Sequence, residues 1–136
     1  MSSIEKFNQL LRQELTLVQV YTEILKAAPG LDCFNQLVES LHCHQGRADL
    51  IAGEIRQLKG RPGWLTEAPK LELGDALNEE ALYLLAGHED ATSRKYSGFL
   101  HDNDFAVQLL ARRLQNRQSA TAAALAIYSE KTSKVA

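Results

Sequence analysis

Glu14 and Tyr21 stand seven residues apart, and Glu89 and Tyr96 repeat that spacing farther along the chain. Seven residues are two helical turns, so each carboxylate shares a helix face with its phenol. In both copies that face otherwise carries apolar residues. A carboxylate held there is costly unless a counter-charge or hydrogen-bond donors meet it. No Ser-His-Asp or Cys-His constellation and no phosphate-binding loop stands out beside this pair. The chemistry on offer is therefore either the holding of a cation or the neutralisation of two acids by the chain's own side chains.

Helices must position these residues. Over 3–27, Ile4, Phe7, Leu11, Glu14, Val18, Tyr21 and Leu25 alternate three and four apart, the seam of a bundle helix. Ser2 and Glu5 can form a capping box at its start. A second helix is expected over 32–59, capped by Asp32, with Phe34, Leu37, Leu41, His44, Ala48, Ile51, Ile55 and Leu58 on its seam and Gly60 and Pro62 at its close. The short link makes these two antiparallel neighbours. Residues 60–75 contain prolines and glycines that exclude a continuous helix. Extended, they reach about 50 Å, more than the roughly 40 Å of a neighbouring helix. They can run the length of the bundle, with Trp64, Leu65, Leu71 and Leu73 as apolar clamps. A third helix over 76–101, capped by Asp75 or Asn78, carries Leu82, Leu85, Glu89, Thr92, Tyr96 and Phe99. A fourth over 104–129 carries Val107, Leu110, Leu114, Thr121, Ala124 or Leu125, and Tyr128. No run alternates with period two, so no sheet is expected.

Composition bounds the rest. The 136 residues are enough for one packed domain, and the formal charge of −2 supplies no field to recruit nucleic acid or an anionic membrane. No apolar run approaches the roughly 18 residues of a membrane span. The opening residues show no signal pattern, which makes a reduced, cytoplasmic setting the expectation. Cys33 and Cys43 lie about 15 Å apart along one helix, too far for a bridge within the chain. Only a bridge between subunits is left open.

Two helical hairpins joined by a long crossover, with the Glu–Tyr signature on the first helix of each, resemble the ferritin-like superfamily. The chain looks closest to the small bacterial four-helix ferritin-like proteins without an assigned function. The residues carrying the resemblance are Glu14 with Tyr21, the stop Leu58-Lys59-Gly60-Arg61-Pro62, and Leu85 through His88-Glu89-Asp90 to Tyr96. It implies an all-α four-helix bundle from about Ile4 to Tyr128 and a dimer of identical chains. It also implies that each Tyr hydroxyl meets the Glu of the opposite hairpin, Tyr21 with Glu89 and Tyr96 with Glu14.

Ferritin-like di-iron proteins take one Glu from each of two helices and Glu-x-x-His from each of the others, a donor set suited to Fe or Mn. Glu14 and Glu89 match the single-Glu positions. Glu39-Ser40-Leu41-His42 has the right spacing but the wrong phase, because Leu37, Leu41 and His44 occupy the seam. Counted back from Gly60-Arg61-Pro62, the positions that matter are His44 and Arg47. From Phe105 to Ser129 there is no Asp, Glu, His or Cys at all. The reading that follows is a metal-free polar core of Glu14, Tyr21, Arg47, Glu89, Tyr96 and Arg117, with Arg113 as an alternative to Arg117. The competing reading is one Fe or Mn ion on Glu14, His44 and Glu89.

The expected function is correspondingly non-enzymatic, with no cofactor: a self-associating or partner-binding bundle, in a stress-related role. A degenerate metal protein with oxidase or iron-handling activity is the alternative, and a small-ligand binder is the third possibility.

Overall fold

The computed structural model describes the backbone of residues 1–64 and 77–135, and the side chains of 1–64 and 80–126. Among the described residues, regular structure consists of four helices: α1 (Ser3–Ala27), α2 (Phe34–Gln57), α3 (Leu77–Ser97) and α4 (Phe105–Val135). Among the described residues there is no strand, and no helix is long and apolar enough to cross a membrane. The crossover residues Leu65, Leu71, Leu73 and Asp75 lie outside the described set.

α1 packs most broadly on α2 and α3 on α4, with α1 against α3 the next contact and the α2–α4 seam much thinner. The buried residues fall into two apolar clusters. One joins Phe7, Leu10 and Leu11 of α1 to Ile51 and Ile55 of α2, Tyr96 and Phe99 near the end of α3, and Val107 and Leu114 of α4. The other joins Leu17, Val20, Tyr21 and Ile24 to Leu37, to Ala81, Leu82 and Leu85, and to Leu125. On every helix the residues between the two clusters are polar and buried: Glu14, then His44 and Arg47, then Glu89 and Thr92, then Gln118 and Thr121. The bundle is thus an apolar–polar–apolar sandwich along its axis.

Local chemistry fixes the ends. The Ser2–Glu5 capping box is present on α1. At α2 the N-cap is Cys33 without a side-chain bond, not Asp32, which stands one residue too early for its carboxylate to serve. Asp104 Oδ1 accepts from the backbone N–H of Ala106 and Val107 to open α4. The same residue pairs with Ser3, and Lys6 Nζ lies 2.7 Å from Asp102 Oδ1. Together these tie the start of α1 to the α3–α4 turn. Within α1, Leu17 and Ile24 are buried while Val18 and Leu25 are half-buried. A 3.6-residue period drifts about 20° per heptad off a strict seven-residue repeat, which swings Val18 and Leu25 toward the edge of the buried face.

α2 closes in a Schellman turn, with Gly60 N–H on the Ile55 carbonyl and Lys59 N–H on the Arg56 carbonyl, both 2.9 Å. The left-handed residue of that turn is Lys59, at φ 63°, and not the glycine. Gly60 is needed for space instead: a Cβ there would stand 2.9 Å from the Ile4 side chain. Beyond it, Asn8 Oδ1 accepts from Gly63 N–H and Asn8 Nδ2 donates to the Arg61 carbonyl, fastening the departing chain to α1.

Lys59→Gly is expected to stabilise the fold by about 0.5–1 kcal/mol, the left-handed strain less the extra chain entropy of glycine. Gly60→Ala is expected to destabilise it through the contact with Ile4. Thermal denaturation of the two variants should shift in opposite directions, and a fall for Lys59→Gly would contradict the assignment of strain.

Candidate functional site

The polar layer is built around His44. Its Nδ1 lies 2.5 Å from Glu14 Oε2, and its Nε2 lies 2.5 Å from Glu89 Oε1. An ionised carboxylate only accepts, so a ring nitrogen facing one must carry the proton. With a carboxylate on each side, the ring is an imidazolium bridging the two acids. The remaining oxygens are met in turn. Glu14 Oε1 accepts from Arg47 Nε at 3.0 Å and from the Tyr96 hydroxyl at 2.6 Å. Glu89 Oε1 also accepts from the Tyr21 hydroxyl at 2.7 Å, and Glu89 Oε2 accepts from Gln118 Nε2 at 2.9 Å.

Charges balance inside this layer, two carboxylates against one imidazolium and one guanidinium. Glu14 and His44 are wholly buried, Glu89 is 1 % exposed and Arg47 4 %. Arg47 Nη2 stands 2.9 Å from His44 Nδ1. An imidazolium has no lone pair there, so this is an approach of two cations, tolerated because the carboxylate of Glu14 bonds both. Arg47 Nη1 reaches across to the Thr121 hydroxyl at 3.3 Å.

The titration behaviour follows from these partners. Burial alone pulls the His44 pKa down, but the hydrogen bonds and charges of Glu14 and Glu89 outweigh it and leave it above the ordinary value. Burial pushes Glu89 up, yet His44, Tyr21 and Gln118 together bring it below the usual carboxylate range. Burial, and then the adjacent carboxylate, raise both Tyr21 and Tyr96, which stay protonated donors.

Each site residue read from the sequence has a definite place. Glu14, Tyr21, His44, Arg47, Glu89 and Tyr96 converge on one layer. Arg117 does not join them, and Arg113 is exposed as well. That expectation is corrected by the phase of α4, whose buried stripe runs Leu114, Gln118, Thr121 and Leu125. Arg117 sits one position off the stripe, and its neighbour Gln118 takes the place assigned to it. The signal was available: Gln118 follows Leu114 by four and precedes Thr121 by three, the spacing of a seam. Glu39 and His42 are exposed, in keeping with their phase on α2.

A di-iron centre does not fit these residues. α4 contributes an amide and a hydroxyl where carboxylate and imidazole donors are needed, and a guanidinium occupies the same layer. Glu14, His44 and Glu89 do come together, but through opposite nitrogens of the ring, so one ion could not bind all three as they stand. Among the described residues no group of three or more His, Cys, Asp or Glu is arranged to hold a metal. The arrangement stores compensated charge in a buried hydrogen-bond network.

Compared with protein-family models and with curated proteins, the chain matches none.

Two outcomes test the layer. Because the His44 pKa is raised, the stability it supplies is whole below the ordinary value of 6.5 and is lost as pH rises through the folded value. The depressed Glu89 pKa gives stability present above 4.5 and lost as pH falls through its folded value. Melting temperature should therefore fall on the alkaline side, and the deficit of His44→Gln relative to the parent should shrink as pH rises. A deficit independent of pH would mean that the ring is not charged. Arg47→Met, which strips one counter-charge from buried Glu14, should cost about 3–5 kcal/mol in chemical denaturation.

Proposed function

We propose that the chain is a ferritin-like bundle, hairpins α1–α2 and α3–α4 joined by a crossover, that works without metal as a self-associating or partner-binding protein. The hairpin topology is supported by how helix halves share the two apolar clusters. The first half of α1 lies with the second half of α2, and the second half of α3 with the first half of α4. The kinship is supported by the two phenol–carboxylate pairs, each joining α1 to α3.

One observation carries the metal-free reading: the His44 ring spans both buried acids, with a nitrogen on each. A cation built from the chain's own atoms stands between carboxylates that relatives of this architecture would use as ligands. Self-association is supported by α4, where Phe105 and Leu109, four apart on one face, are 72 % and 55 % exposed.

Metal analysis of the purified protein, with melting curves in Fe(II), Mn(II), Zn(II) and chelator, tests the first half of this reading. Substoichiometric metal and an unchanged melting temperature are expected. Stoichiometric iron or manganese that disappears in Glu89→Gln would establish the degenerate metal protein instead. Light scattering tests the second half: a dimer is expected for the parent chain and a monomer for Leu109→Glu.

A further inference from the structure

The thin α2–α4 seam opens into a cleft of about 520 Å³, within the ~300–1,000 Å³ range of small-molecule sites. Gly46, Ala120 and Ala124 keep its walls low, and Cys43 and Leu50 add apolar surface. Its polar groups are not spread evenly. Arg47 lies on the floor, 4 % exposed, with Thr121 beside it and Arg117 at the rim. Glu39 and Gln36 line the cleft too, but Glu39 sits about 12 Å farther along α2, at roughly 1.5 Å per residue.

Arg47 has donors to spare. Nε is spent on Glu14, Nη1 has only the long bond to Thr121, and Nη2 faces a protonated ring that cannot accept. Arg117 forms no ion pair among the described residues. Two arginines thus line one end of a slot whose other walls are mostly small or uncharged residues, with one acid, Glu39, at the far end. Such a slot favours an anion at the arginine end and selects against a cation there.

We propose that the α2–α4 cleft binds a small amphipathic organic anion, its carboxylate or phosphate on Arg47 and Arg117 and its apolar body along Gly46, Ala120 and Ala124. The cleft shares Arg47 and Thr121 with the buried layer, whereas Arg117 and Ala120 belong to the cleft alone.

Titration calorimetry and thermal shift with octanoate, octyl phosphate, octylamine and octanol read the proposal directly. At least one of the two anions should bind saturably and about tenfold or more tighter than octanol, with octylamine weakest; the stronger anion identifies the head group. Arg117→Glu, at an exposed position, should weaken the anion about tenfold or more while leaving octanol unchanged. Ala120→Leu, which fills the slot, should abolish binding of both. Equal binding of anions and octanol, no binding of any probe, or indifference to Arg117→Glu would each overturn the proposal. If Ala120→Leu fails to fold, Arg117→Glu alone decides.

Discussion

Burying an ionised carboxylate away from water costs several kcal/mol before anything is done for it, and this bundle buries two. Everything else in the middle of the molecule answers that cost. The imidazole of His44 is the economical solution, because one planar cation can donate in two directions and so serve acids contributed by different helices. Arg47 supplies the second positive charge, and the phenols of Tyr21 and Tyr96 add neutral donors that burial keeps protonated. No single one of these contacts would suffice. A half-compensated version would be worse than a plain apolar core.

The position of the layer matters as much as its composition. It lies between two apolar clusters, each formed by all four helices, so it is covered at both ends and approached from a side. That side is the α2–α4 seam, where small residues leave a cleft and where Arg47 is the deepest charged group. Four apolar helices could slide or rotate against one another at little cost. A layer in which Glu14 must find Arg47 and Tyr96 while Glu89 must find Gln118 and Tyr21 permits one register.

The proposed kinship with ferritin-like proteins and the proposed metal-free core rest on the same geometry. The carboxylates and phenols occupy the places that the resemblance leads one to expect, while the opposing positions carry His44, Arg47, Gln118 and Thr121. A guanidinium and an imidazolium hold the acids and repel a divalent ion. The fold holds a buried site for charge, filled from within.

The number of helices, the burial of Glu14, Tyr21, His44, Glu89 and Tyr96, and the outward phase of Glu39 and His42 were all legible in the residue order. Each follows from period and type within a single helix. The reach of one histidine to both acids and the left-handed turn at Lys59 in place of Gly60 were settled by tertiary packing. Those depend on how far each helix is rotated and shifted against its neighbours. That rotation is set by the fit of side chains from three other segments, which no local spacing records.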